Sequence, residues 1–491
     1  MTESILNKTV RGAGWAIGWR LSTRLLGVIS TLILARLLLP GDFGLVALAT
    51  GFAQGILALS ALGIDEAVIR QRLATREVYD TAFTINLIRG LATALIVAAC
   101  AWPVAGFFGD PRLAPVLLAL AACALITAFE NIGTIEFRRD FVFDKEFKLL
   151  LLPRLAGIAT TIAAAMLWHS HWALIAGIAT GQVLETGMGY VMHPHRPRLT
   201  LRAWRPLAAF SFWSWAISVA IMMRDRVDGF VIGRSLGLAQ VGVYTVGAEI
   251  ALLPTHELAG PLSRACFPGF VAAMRAETAI AATYLRILAT IGLVTLPVAA
   301  GVSLVAAPAV MLAFGPAWME AVPVVRVLGY TGVALVLGMV TSTLLSAQGE
   351  LRPGLAITIG SMAVRTVSAI ALVGPLGLTG VAIAHALTLV VENLAYLAVA
   401  FRRFAIRPAA LVPLLGRPAL ATLAMIAVLT ACGLGGDVAA PAWSLCLAAA
   451  TGTTVYGGVL LGLWLVCGRP EGAERDVLAL VWRLAGRGGG G

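Results

Sequence analysis

Residues 287–319 read ILATIGLVTLPVAAGVSLVAAPAVMLAFGPAWM, and no formal charge falls between Arg286 and Glu320. A helix needs about 20 apolar residues to cross the hydrocarbon core of a bilayer, so this stretch is long enough to span one with residues to spare. Residues 438–468 are likewise uncharged between Asp437 and Arg469. The rest of the chain follows the same pattern. Its 491 residues are 59% hydrophobic and only 12% charged, with a mean hydropathy of +0.90. A soluble globular chain carries about 25% charged residues, and a single soluble core does not grow with length in this way. The composition therefore excludes a soluble enzyme, a nucleic-acid-binding domain and a disordered protein, and it makes lipid the main solvent.

On a ruler of about 20 residues per span, fourteen segments qualify: roughly 13–37, 43–64, 79–106, 113–134, 148–168, 172–192, 207–232, 239–260, 284–312, 321–347, 354–373, 376–400, 409–432 and 441–467. The 354–373 and 376–400 pair is divided only by Gly374-Pro375. Met1–Arg11 is polar and the first apolar run is long, which reads as a first membrane span rather than a cleavable leader. The fold class expected is an all-α polytopic membrane protein of about 14 transmembrane helices.

The net charge of +11 is explained by where the basic residues sit. With the N-terminus placed in the cytoplasm, 24 of the 36 Lys and Arg fall in cytoplasmic segments, and only Arg36, Arg112 and Arg234 fall on the opposite side. Positive charge collects on the cytoplasmic side of membrane proteins, so both termini are expected there, and no nucleic-acid partner is needed to account for the excess.

A short internal echo suggests a repeat. Residues 35–49 read ARLLLPGDFGLVALA and residues 233–247 read GRSLGLAQVGVYTVG, with Arg36 to Gly44 and Arg234 to Gly242 each eight apart. The first copy bridges spans one and two, the second spans seven and eight. An even offset of six spans keeps both copies in one orientation. This predicts two six-helix lobes, 1–206 and 207–403, around a central cavity, with 404–491 supplying two additional helices and a cytoplasmic tail. Parallel repeats of this kind are a transporter architecture with the site between the halves.

Nine basic residues remain inside spans: Arg20, Arg24, Arg89, Arg154, Arg224, Arg226, Arg326, Arg365 and Arg417. An arginine at the centre of a membrane helix costs about 2.5–3.5 kcal/mol on the insertion scale, so such residues face protein or a wet cavity. Arg20 and Arg24, four apart, share one face of the first span; Arg20 could equally snorkel to the interface. Arg224, Asp225, Arg226 and Asp228 cluster in the seventh, where Arg224 and Asp228 have the spacing of an ion pair. The arginines Arg20, Arg24, Arg224 and Arg226 are the candidate lining of a cationic cavity. Asp225, Asp228, Glu130, Arg89, Arg154 and Arg365 are candidates for ion coupling or structural ion pairs. Gln54, Asn131, Glu185, Glu249, Glu257 and Glu392 are further polar groups at membrane depth.

No metal or cofactor is expected. The six cysteines show no CxxC or Cys/His spacing. His256 and His385 read as packed histidines, and His169, His171, His193 and His195 fall in short connections. No Walker A sequence is present, so nucleotide hydrolysis by this chain is not expected.

The segments ARLLLPGDFGLVALATGF (35–52), ALGIDEAVIRQR (61–72), DGFVIGRSLGLAQVGVYTVGAEI (228–250) and PLSRACFPGF (261–270) resemble Wzx-type flippases and exopolysaccharide exporters of the multidrug/oligosaccharidyl-lipid/polysaccharide superfamily, over roughly residues 1–350. Asp228 and Gly233 match that family's pattern in the seventh span. The resemblance implies fourteen helices in two lobes, a central cationic cavity, and movement of undecaprenyl-diphosphate-linked oligosaccharide across the bacterial inner membrane for exopolysaccharide, capsule or O-antigen synthesis. A polysaccharide polymerase and export machinery are the partners it suggests. Arginine suits a lipid pyrophosphate because it binds phosphate oxygens bidentately and stays charged when dehydrated. Outward movement of such an anion across an inside-negative potential releases roughly 2.3 kcal/mol per charge per 100 mV; a proton or sodium ion is the other candidate driver. The alternatives are a drug or cation antiporter of the same superfamily, a lipid II flippase, and a membrane polysaccharide polymerase or ligase. The first should carry acids rather than arginines in its cavity, and the last a large external loop.

Overall fold

The computed structural model describes residues 22–23, 25–60, 64, 68, 75–140, 142–204, 212–275, 280–348, 351–434, 442–470 and 472–475. Every regular element among them is a helix. That is the outcome lipid demands, since a helix satisfies its own backbone donors and acceptors where no water can. By its internal contacts the chain divides into two units, Met1–Gly242 and Val243–Gly491. Among the described residues nine helices are long and apolar enough to cross a membrane, or ten if one bent pair counts as a span. The chain is a multi-pass membrane protein.

The first unit contains α1 (Leu25–Leu37), α2 (Pro40–Leu59), α3 (Arg76–Phe108), α4 (Leu113–Ala128), α5 (Ile135–Arg139), α6 (Phe143–Trp168), α7 (Trp172–Met192) and α8 (Phe212–Ser235). Local chemistry sets their ends. Pro40 opens α2 at a position whose missing N–H costs nothing, and the Asp42 carboxylate accepts from Leu39 N at 3.3 Å. Gly109, at φ 73°, closes α3. In the next turn Asp110 accepts from Arg112 through both backbone and guanidinium. Those bonds hold the Asp110 carboxyl below its usual range. α4 and α5 meet at a bend of 65°, pinned by fully buried Asn131, whose amide donates to Gly189 O and His195 O, both at 3.1 Å.

Helix pairs in the first unit touch through small residues, the usual solution where lipid supplies no hydrophobic drive between helices. A Cβ on Gly157 would lie 2.8 Å from Gly177 O, and one on Gly181 would lie 3.6 Å from Pro153 O. The tightest crossing joins the two copies of the echo. A Cβ on Gly44 would fall on the Leu238 carbonyl and 2.8 Å from Gly242 N, while one on Gly242 would fall on the Pro40 carbonyl and 2.9 Å from Gly44 N. Pro40 and Gly44 stand to Leu238 and Gly242 as copy to copy. The contact is therefore reciprocal, as a local two-fold axis makes it.

From His193 to Ala203 the chain runs as an extended strap over the end of α3. Arg198 N donates to Asp80 Oδ1, Thr200 N to Thr84 Oγ1 and Ala203 N to Thr81 Oγ1, at 3.0, 3.0 and 3.2 Å. Asp80, Thr81 and Thr84 are all buried. The basic connection expected from sequence is thus an ordered element.

The second unit contains α9 (Leu238–Arg275, which begins in the first), α10 (Ile280–Leu304), α11 (Ala306–Phe314), α12 (Val322–Ala347), α13 (Leu351–Arg403), α14 (Leu411–Ala431) and α15 (Ala442–Val466). As one rod, α13 would be about 80 Å long at 1.5 Å per residue, more than twice the bilayer core. Gly377, at φ 57° and ψ −137°, breaks it, two residues beyond the division expected at Gly374-Pro375. One core gathers Phe270, Tyr284, Leu288, Val336 and Leu344. A second gathers Met425, Leu429, Tyr456 and Leu460, where the Tyr456 hydroxyl donates to Leu293 O at 2.6 Å. Arg417 pairs with buried Glu474 at 3.0 Å.

Candidate functional site

The charged turn of α8 divides by face. Residues two apart on a helix lie about 200° apart around its axis, so Arg224 and Arg226 point in opposite directions. Met222 and Met223 touch Gly55 of α2, Arg226 lies over Gly51, and Phe230 stacks on Phe108 of α3 at 5.8 Å. On this face Arg226 Nη2 donates to Gln54 Oε1 at 2.6 Å, while its buried Nε has no hydrogen-bond partner. A hydrogen bond to a charged group is worth about 1.5–3 kcal/mol, which offsets much of the cost of an arginine at membrane depth. On the other side Arg224 pairs with Asp225, Nη2 to Oδ1 at 3.0 Å. Asp228 is 3% exposed. Arg20 and Arg24 lie outside the described residues.

Gln54 also lines a cavity of about 550 Å³ inside the first unit. Its wall is drawn from α2, α3, α4, α6 and α7 and includes Asn86, Arg89, Thr93, Glu130, Gln182 and Glu185. Four buried polar atoms on that wall lack a partner: Asn86 Oδ1, Arg89 Nε, Thr93 Oγ1 and Gln182 Oε1. Each such group costs about 1–3 kcal/mol if left dry, so the space suits water or a polar occupant. At the mouth Arg138 and Glu146 pair at 2.9 Å. A second, more open groove of about 520 Å³ lies beside it, bounded by Ser30 and Thr31 of α1, Arg154 of α6, and Gln182 and Glu185 of α7.

In the second unit Arg365 is 3% exposed, and its Nη2 donates to His385 Nδ1 at 2.6 Å. An arginine cannot accept, so this nitrogen carries no proton and His385 is neutral. Tyr244 Oη lies 3.0 Å from the same nitrogen. His385 reads in the sequence as a packed histidine, and it is one, hydrogen-bonded to a buried cation. Among the described residues no group of three or more His, Cys, Asp and Glu side chains gathers as a metal ion would require.

Of the residues singled out in the sequence, Arg89 and Glu130 line the cavity and Arg154 the groove, while Arg226 lines neither and reaches the cavity wall only through Gln54. The sequence did not single out Asn86, Thr93 or Gln182. The signal was present, since Asn86, Arg89 and Thr93 recur at helical spacing on one face of α3, but neutral polar residues in an apolar run attract less notice than charges.

Comparison with known proteins places this architecture. Residues 33–323 match the family described as "Polysaccharide biosynthesis protein". The chain is 23% identical to the lipopolysaccharide biosynthesis protein WzxC of Escherichia coli, over 71% of each chain. It is 25% identical to the succinoglycan biosynthesis transport protein ExoT of Rhizobium meliloti, over 67% of each. Among solved structures it superposes on the lipid II flippase MurJ in an inward closed conformation with a TM-score of 0.73 at 13% identity, covering 93% of this chain and 99% of that one; at that identity the likeness is one of fold.

Proposed function

The chain belongs to the polysaccharide biosynthesis protein family, its relative ExoT is named as a transport protein, and on that premise we propose that it moves undecaprenyl-diphosphate-linked oligosaccharide from the cytoplasmic to the outer leaflet of the bacterial inner membrane. The observation that carries the reading is a family match over residues 33–323 on a chain that holds an arginine, Arg226, in its first unit on a neutral partner, Gln54, among the described residues. A guanidinium held by a neutral amide oxygen rather than by a carboxylate keeps its charge uncompensated by that partner and available to phosphate.

In this reading the chain has fourteen spans, with two six-helix lobes (1–206 and 207–403) and two further helices in 404–491. Both termini lie in the cytoplasm. Arg20, Arg24 and Arg226 contribute to a cationic cavity where the sugars cross, Arg224 faces away from Arg226 on the same helix and does not share its wall, and the polyprenyl tail stays in lipid. The membrane potential favours outward movement of the anion. A polymerase consumes the translocated unit. Arg24→Ala and Arg226→Ala should each abolish polysaccharide export in cells, with the protein still present in the membrane at its normal level. Full export by both variants would show that these arginines are structural and overturn the cavity assignment.

A further inference from the structure

Glu185 is the one charged residue that lines both spaces of the first unit. Among the described residues it makes no hydrogen bond or ion pair, and neither does Arg89 in the cavity nor Arg154 in the groove. The helix register sets their heights. α6 and α7 run antiparallel with Gly157 against Gly177 and Pro153 against Gly181, so the next turn brings residue 149 level with Glu185. Arg154 is then about 7 Å away along the axis at 1.5 Å per residue, within the span of its own stem. On the other side Asn131 touches Gly189, and Gly90 rests on Ala128. Thr186 Oγ1 of α7 donates to Ile126 O of α4 at 3.5 Å, which puts Ala128, and with it Arg89, within about one turn of Glu185 in height.

We propose that Glu185 is a proton-binding carboxyl that serves as the alternating partner of Arg89 in the cavity and Arg154 in the groove. The ionised carboxylate pairs with one guanidinium. A proton taken from water in the cavity converts it to the neutral acid and frees both. Among the described residues the other charges that line these spaces are few. α2 contributes the uncharged Gln54 and Thr50, α1 the uncharged Ser30 and Thr31, and Arg138 with Glu146 is already a pair. Glu130, at the mouth, is exposed. Each proton bound therefore changes the number of free arginines in this unit by one. The inference extends the transport reading by giving it a coupling ion, and its test needs no oligosaccharide, so the two can fail separately.

The test is an infrared pH titration of the full-length protein in phosphatidylethanolamine and phosphatidylglycerol vesicles, following the protonated-carboxyl stretch. Glu185→Gln should remove one titrating band, and Glu185→Asp should keep it at an altered frequency, which guards against a folding defect in the first variant. Arg89→Ala and Arg154→Ala each remove a cation that favours the carboxylate. Each should raise the midpoint of that band by about one pH unit, a tenfold gain in proton affinity, and Arg89→Lys should restore it. A spectrum unchanged by Glu185→Gln, or a midpoint unmoved in both alanine variants, would overturn the proposal.

Discussion

At the scale of single residues, the crossing of Gly44 and Gly242 is the most demanding contact in the first unit. Each position admits no Cβ, because a backbone carbonyl of the other copy occupies the place. Overpacking of this kind costs about 1–3 kcal/mol. Gly44→Val should therefore lower the denaturation midpoint of the detergent-solubilised protein. Gly41→Ala is the control: its Cβ would meet only Ala239 Cβ at 4.0 Å, and it should leave the midpoint unchanged. Equal midpoints for the two variants would show that the close approach carries no weight. The echo made Gly44 and Gly242 visible in the sequence as counterparts, but nothing in one dimension says that counterparts touch. The division of Arg224 from Arg226 was legible, since a spacing of two already separates them around a helix. Grouping them by charge alone obscured it. The Gln54 partner of Arg226 lies 172 residues away, and no local rule reaches that far.

At the scale of elements, the strap from His193 to Ala203 depends on a histidine kept neutral. Burial pushes the His195 pKa down, against the pull of Asp80, whose Oδ1 lies 3.3 Å from its Nε2. A histidine depressed in the folded state contributes stability that is present above its unfolded value, about 6.5, and that is lost as pH falls through the folded value. The strap should therefore lose hydrogen-exchange protection at Arg198, Thr200 and Ala203 between about pH 7 and pH 5. In His195→Gln that pH dependence should shrink. Protection that stays flat with pH in the unmodified protein would contradict the assignment. Spans were the most legible elements, because an uncharged run such as 287–319 has few other uses. The strap was not, because its order comes from the Asp80, Thr81 and Thr84 side chains of a helix far away in sequence. The break in α13 was expected from Gly374-Pro375 and falls at Gly377, because only glycine takes φ 57° with ψ −137° without strain.

At the scale of the whole molecule, the charge distribution links fold to function. Few charges are present, and several of those at membrane depth among the described residues have a named partner: Arg226 has Gln54, Arg365 has His385 and Arg417 has Glu474. Ionisable groups at membrane depth are costly and tend to serve function, which is the ground on which Arg226 is proposed to meet an anionic substrate in this member of the polysaccharide biosynthesis protein family. The most direct test is to reconstitute the full-length protein in sealed vesicles and follow the transfer of an undecaprenyl-diphosphate-linked oligosaccharide between leaflets. The account predicts transfer well above that of protein-free vesicles and at least about tenfold slower with Arg226→Ala, a loss of about 1.4 kcal/mol of barrier lowering. Transfer by the unmodified protein no faster than in protein-free vesicles would contradict it.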